Sequence, residues 1–444
     1  MFKHYTEALN WIHGRLKFGI KPGLKRMEWL LTELGHPEKN IPIIHVAGTN
    51  GKGSTISYML HMLIEGGYRV GSFTSPYIET FNERISVNGQ PISDQEMLEI
   101  ANEVKPYVEK IEKTELGGPT EFEIITTMMF LYFGKYNKPD FLLLETGLGG
   151  RLDSTNIAEP ILSIITTIGY DHMNILGETI AEIAAEKAGI IKHRVPIMTA
   201  VENLEAKKVI SEVANSMLSE MYSLGTDLNI LQKQLHQQGE RFTLQTSYST
   251  YKDLVISMKG EHQIKNAALA VSAIDYLIKM DKVKLSDDQL RKGLKGAYWK
   301  GRFELVNNNP EVIIDGAHNK EGIDSLLDTL TRHYPDKNIH ILFSALKDKD
   351  YSQMIARLSS IAASMHFTTF DFPRAATAFE LYSACQLKEK TYSESWEKIM
   401  DHLLDEYINQ KEDLVVVTGS LYFISHIREY CRKRNKENEE KVRD

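Results

Sequence analysis

Apolar residues recur along this chain in two spacings. Short runs rich in branched side chains, bounded by glycine, proline or charge, predict buried strands at Ile43–Ala47, Tyr68–Phe73, Asp140–Glu145, Ile161–Ile168 and Val195–Ala200. Stretches with apolar residues three and four apart predict helices over Tyr5–Leu16, where Leu9, Ile12 and Leu16 share a face, and over Lys25–Leu34, Thr55–Glu65, Ser93–Glu112 and Thr179–Ile191. Glu121–Tyr136 predicts a strongly apolar helix, and Ser93 with Glu96 has the spacing of a capping box. Several β-like runs predict a small antiparallel sheet near 218–259, followed by a helix that runs to Lys279. The composition then shifts across Gly296–Phe303, and the alternation restarts with strands at Val312–Asp315, Ile339–Ser344, Ser364–Phe370 and Leu414–Thr418. The expected class is α/β: a doubly wound domain over 1–296 and a second, smaller Rossmann-like α/β domain over 297–444. The final charge run, RKRNKENEEKVRD, is expected to be a solvated, fraying tail.

Chemistry concentrates where strands end. Gly48-Thr49-Asn50-Gly51-Lys52-Gly53-Ser54 lies between a strand and a helix, the arrangement in which backbone N–H groups, a helix N-terminus and a lysine cradle phosphate. The usual phosphate-loop motif wants glycine where Val46 stands and a hydroxyl where Gly53 stands, with Ser54 one place late. A plain glycine-rich turn is the bland alternative, and the density of Gly, Thr and Ser in this setting argues for nucleotide binding. Thr74-Ser75-Pro76 and the run YIETFNERI follow the second strand, at an edge where open α/β sheets bind ligands.

Three further residues stand out. Glu145 ends a buried strand before a glycine loop, which suits a magnesium ligand, although a surface glutamate at a strand end is common. His172 follows a strand in Gly169-Tyr170-Asp171-His172, and is either a ligand or a loop histidine satisfied by solvent. Lys187 shares a helical face with Ile180, Ile183 and Ala184, so it must snorkel, pair or be modified.

Composition narrows the setting. A length of 444 residues accommodates two or three domains, and a net charge of −8 argues against general affinity for nucleic acid or anionic membrane. The N-terminal residues hold no uninterrupted apolar run of the kind a secretion signal needs, and no segment approaches the roughly 18 apolar residues of a spanning helix. Cys385 and Cys431 have no motif spacing, so a cytoplasmic protein without a zinc site is expected.

The order of the motifs resembles the folylpolyglutamate synthase/dihydrofolate synthase family of the Mur ligase superfamily. The resemblance rests on HVAGTNGKGS at 45–54, SFTSPYIETFNERI at 72–85, LLLETGLGGRLDSTN at 142–156, IGYDHMNILG at 168–177 and IAAEKAGIIK at 183–192. It continues through HQIKNAALA at 262–270, GRFE at 301–304, DGAHN at 315–319 and TGSLYF at 418–423. It implies a Mur-ligase-type ATPase domain followed by a ligase domain, with ATP between them. Lys52 and the amides of Gly48–Ser54 would hold phosphates, and Asn266, Arg302, Asp315 and His318 would serve the nucleotide. Ser75, Glu145 and His172 match ligands of two Mg2+ ions, and Lys187 matches a lysine that carries a carbamate. Lys52, Lys187 and His172 are thus the implied catalytic set.

The implied reaction joins L-glutamate to a folate or to dihydropteroate, with a single chain as the working unit. The pterin would lie near Thr74–Arg84 and Phe122, although Phe122 fits a core position slightly better. A peptidoglycan-precursor ligase and a nucleotide-dependent switch are the alternatives. Gly53 and the TSPYIETFNERI loop speak against the first, and the richness of the metal set against the second.

Overall fold

The computed structural model describes residues 1–15, 19, 21–39 and 41–443. The described residues divide into two compact units: Met1–Gln234, Arg241–Ser257 and Ile264–Tyr298 form the first, and Leu235–Glu240, Met258–Gln263 and Trp299–Asp444 the second.

The first unit is built on an eight-stranded sheet. Its strands are β1 (Ile43–Ala47), β2 (Val70–Phe73), β3 (Ile85–Val87), β4 (Gln90–Pro91), β5 (Phe141–Glu145), β6 (Leu162–Ile165), β7 (Ile197–Thr199) and β8 (Met221–Ser223). They lie in the order β4-β3-β2-β5-β1-β6-β7-β8. From β2 to β8 all neighbours are parallel, while β3 and β4 add an antiparallel edge. Strand β1 is fully buried at the centre, as its branched apolar residues require, and the chain order reverses around it. Open sheets of this kind bind ligands at the carboxyl ends of strands beside such a reversal. Register aligns those ends, since Val46 pairs with Glu145, Ala47 with Ile165 and Phe73 with Leu144.

Side chains on one face of this sheet feed two cores. Ile43, Phe73, Leu142 and Leu144 pack with Ile12, Leu30, Met97 and Ile124 from the flanking helices. Ala47, Ile165 and Ile197 pack with Ile180, Ala184, Ala188 and Ile210. The expected small antiparallel sheet is present as β9 (Asn229–His236), β10 (Gly239–Gln245) and β11 (Thr250–Ile256).

The second unit carries β12 (Glu304–Asn308), β13 (Glu311–Ile314), β14 (Asn338–Phe343), β15 (Ala362–Thr368), β16 (Lys390–Ser393) and β17 (Asp413–Thr418), in the order β12-β13-β17-β14-β15-β16. All pairs are parallel except β12 with β13. Period-two alternation splits β17 cleanly: Leu414 and Val416 join one core, Val415 and Val417 the other.

Several local readings change. The phosphate-loop helix starts at Lys52 rather than Thr55, and the helix from Glu121 gives way to a π-turn over Tyr132–Tyr136. Strands β3, β4, β12 and β16 escaped the apolar pattern because they are short, mixed in polarity and at or near sheet edges. The C-terminal charge run is helical to Arg443, not a frayed tail. Lys433 pairs with Glu429 one turn away, and Arg434 reaches Asp401 and Asp405, which stabilises that helix. Leu16 lies outside the described residues. Among the described residues no helix is long and apolar enough to cross a membrane.

Candidate active site

The loop after β1 is shaped by backbone that side chains would obstruct. Gly51 has φ +90° and caps the helix Lys52–Glu65, and a β-carbon there would run into the Asn266 carboxamide. The loop is also tied to the chain leaving β6. Thr49 N–H donates to the Thr167 carbonyl at 2.8 Å, and Asn50 N–H to Thr167 Oγ1 at 2.9 Å. Thr166 Oγ1 donates to the Asn50 carbonyl at 2.6 Å, and Gly169 N–H to Thr49 Oγ1 at 3.0 Å. These ties fix the loop and leave the helix N-terminus as a source of N–H groups and partial positive charge. Lys52 Nζ folds back to donate to the Gly48 carbonyl at 3.0 Å.

Glu145 ends β5 with its carboxylate buried. One oxygen accepts the Ser75 N–H at 3.0 Å, and the other stands 3.8 Å from Lys52 Nζ. Lys187 is buried on the inward face of the helix Ile180–Ala188. Burial, seconded by the positive charge of Lys52, pushes its ammonium down to about 7, against the pull of Asp171 and Asp153. Lys52, Glu145, Ser75, Asn266 and Lys187 therefore belong to one neighbourhood. His172 sits at the start of the short helix Met173–Leu176 with φ +51°, a region that disfavours most side chains. Its N–H donates to Asp171 Oδ1 at 2.9 Å, and its ring is about one-third exposed.

Arg302, Asp315 and His318 gather in the second unit, at the carboxyl end of β13. Asp315 accepts N–H groups from Phe303 at 2.8 Å and Ala317 at 2.9 Å. Burial raises its carboxyl above the usual range, although Arg302, those two N–H groups and His318 oppose the shift. His318 Nδ1 lies 2.8 Å from the Gly316 carbonyl, so that nitrogen carries a proton and donates to it.

Phe122 is half-buried rather than a full core residue. Its ring occupies the space a side chain on Gly147 would need, and it packs against Phe73 with centroids 5.8 Å apart. Arg84 lies over Tyr77 and Phe81 and pairs with Glu121, which also holds His13.

Sequence reasoning gave no role to Thr166, Thr167, Asp153 or Asp171. The two threonines directly after an apolar strand were the available signal. Asp153 is buried and accepts N–H groups from Leu148 at 2.8 Å and Thr155 at 3.0 Å; burial raises its carboxyl in spite of them. Among the described residues no three His, Cys, Asp or Glu side chains cluster to hold a metal. The candidate set of Ser75, Glu145, His172 and Lys187 contains two residues of those types.

Comparison with known proteins adds an independent finding. Residues 46–274 match the Mur ligase middle domain, and residues 301–421 the Mur ligase, glutamate ligase domain. The chain is 52% identical over 428 residues to the dihydrofolate synthase/folylpolyglutamate synthase of Bacillus subtilis (strain 168), covering 96% of this chain and 99% of that protein. Its structure is similar to that of Mycobacterium tuberculosis folylpolyglutamate synthase complexed with ADP and AMPPCP, with TM-score 0.89, 28% identity, and coverage of 96% and 99%. It is also similar to an FPGS–AMPPCP–folate complex, with TM-score 0.82, 30% identity, and coverage of 96% and 99%.

Proposed function

Since this chain belongs to the folylpolyglutamate synthase/dihydrofolate synthase family of Mur ligases, we infer that it is an ATP-dependent ligase that adds L-glutamate to a folate. The same inference extends to dihydropteroate as acceptor, because the relative at 52% identity bears both activities in its name. That full-length likeness to folate enzymes also sets aside a peptidoglycan precursor as substrate.

The observation that carries this reading is Glu145 at the end of β5, 3.8 Å from Lys52 and bonded to the Ser75 N–H. Lys52 and a buried carboxylate stand side by side there. We assign the phosphates of ATP to Lys52 and the amides of Gly48–Ser54, and nucleotide contacts to Asn266, Arg302, Asp315 and His318. On this assignment 1–296 acts as the ATPase domain and 297–444 as the ligase domain.

A carboxylate is a poor acylating agent because oxide is a poor leaving group. In the proposed reaction a substrate carboxylate oxygen attacks the γ-phosphorus and ADP departs, which leaves an acyl phosphate. The amine of L-glutamate then attacks the acyl carbon, phosphate departs, and the amine gives up a proton. Lys52 and the helix N-terminus stabilise the charge on the transferring phosphoryl group. Residues Ser75, Glu145 and His172 offer oxygen and nitrogen donors that fit Mg2+, and a carbamate on Lys187 would add more oxygen. Bound Mg2+, two ions on the family pattern, supplies charge neutralisation at the phosphates. Support for the carbamate comes from burial: a lysine pushed down to about 7 is about half neutral at that pH, and the neutral amine is the form that adds CO2. The pterin is assigned to the surface beside Thr74–Arg84 and Phe122, on the strength of the half-buried ring over Gly147.

The test is product analysis by mass, with dihydropteroate and tetrahydrofolate offered separately with ATP and L-glutamate. One glutamyl addition to each acceptor, dependent on ATP, is expected. ATP hydrolysis that is indifferent to both acceptor and glutamate would overturn the ligase reading.

A further inference from the structure

Glu240 is buried in the second unit, and none of the roles assigned above falls to it. Its carboxylate accepts the Gly260 N–H at 2.9 Å and stands 2.8 Å from His333 Nε2. Arg332 Nη2 donates to it at 3.3 Å, and Arg332 also reaches Asp328 at 3.5 Å and Glu261 at 3.9 Å. Burial pushes the Glu240 carboxyl up, but His333, the Gly260 N–H and Arg332 outweigh it, so the group stays below the ordinary carboxylate value. A charged group so enclosed holds its partners in one arrangement.

What it holds is the start of a helix. Gly260 directly precedes the helix Glu261–Lys279 and has φ +109°. Having no side chain, it cannot cap the helix with an oxygen of its own. A β-carbon on Gly260 would also crowd the His262 ring at 2.6 Å, so this approach is close-packed. Residues 261–263 group with the second unit and 264–279 with the first. Asn266 lies six residues beyond Gly260, roughly 9 Å along the axis at about 1.5 Å per residue. It is buried, and its carboxamide fills the space beside Gly51 of the phosphate loop. A helix is stiff over this length, so displacement of its first turn reaches Asn266 and the loop.

We infer that Glu240 is a positioning residue for nucleotide binding, which fixes the start of the helix Glu261–Lys279 and through it sets Asn266 against Gly51. The inference rests on reading Gly48–Ser54 as the ATP loop. Glu240 itself touches no reacting group.

The experiment measures KM for ATP, for the folate acceptor and for L-glutamate in wild type, E240A, E240Q, N266A and E240A/N266A. In E240A the KM for ATP rises about 10-fold, with the acceptor KM unchanged. E240Q, which still accepts the Gly260 N–H, recovers most of that loss. In the N266A background the E240A substitution adds less than about 2-fold, because its route of action is already gone. Equal rises in all three KM values, a loss of thermal stability without a selective ATP effect, or a full E240A effect on top of N266A would overturn the inference. Should E240A fail to fold, H333A removes one partner of the carboxylate and is read by the same criteria. Absence of ATP-dependent ligation in wild type would instead overturn the functional reading, so the two failures are distinguishable.

Discussion

Gly293→Ala offers a sharp test of how the phosphate-loop helix is held. Gly293 is buried in the helix Asp287–Gly296, at its closest approach to the helix Lys52–Glu65. A β-carbon there would lie 2.5 Å from Met62 Cα, 2.6 Å from the His61 carbonyl oxygen and 2.7 Å from Met62 N. All three are backbone atoms and cannot rotate away. Ordinary carbon contacts lie near 3.5–4.0 Å, so the helices would have to separate by about 1 Å. Helix propensity favours alanine over glycine by about 1 kcal/mol, whereas overpacking of this kind costs about 1–3 kcal/mol. The steric cost wins, and G293A should lose about 1–2 kcal/mol. Gly296 ends the same helix with nothing within 4 Å of its β-carbon position, so G296A should be neutral or slightly stabilising. The assay is urea unfolding of both variants by circular dichroism, taking the midpoint of the first transition, together with KM for ATP. Because the displaced helix begins at Lys52, the KM should rise in G293A and not in G296A. A G293A protein as stable as wild type, or the two variants shifting in the same direction, would refute this packing account.

The other predictions concern the site and its surroundings. Lys52→Ala should cut turnover by about 100-fold or more with an unchanged circular dichroism spectrum, since Lys52 is only partly buried at the first position of its helix rather than in a core; near-normal turnover would remove it from the phosphate site. Glu145→Gln and His172→Ala should each raise the magnesium concentration needed for activity, and a variant that matches wild type at every magnesium level would lose its place as a ligand. Lys187→Ala should be nearly inactive and partly rescued by a short carboxylic acid. With the amine titrating near 7, re-activation of CO2-depleted wild type by bicarbonate should grow as pH rises from 6 to 8, and full activity without CO2 would exclude the carbamate. His45 and His366 are buried neutral, pushed down to about 3 and about 4 from 6.5, chiefly by desolvation. The unfolded chain therefore binds protons that the folded one does not below pH 6.5, and stability falls with pH there by up to about 1.4 kcal/mol per unit for each group; urea midpoints independent of pH between 7 and 5 would contradict this.

Local chemistry determined much of this protein. Branched apolar runs with glycine or charge at their ends made β1, β5, β6, β13, β14 and β17 legible, because a strand buried on both faces requires them. Glycine density marked the phosphate loop, because only glycine takes the backbone at Gly51 without strain. Motif order carried the family. Tertiary structure alone decided what those residues meet. Lys187 titrates near 7 because it is enclosed beside Lys52, 135 positions away, and helical spacing could say only that it faces inward. Thr166 and Thr167 clamp the loop, and Asn266 abuts Gly51, through contacts between segments more than a hundred residues apart. Glu240 had no sequence signature, because its partners Gly260 and His333 become neighbours only on folding. Desolvation and contact distance depend on which distant segments arrive at a point in space, whereas periodicity and turn chemistry are written within a few residues.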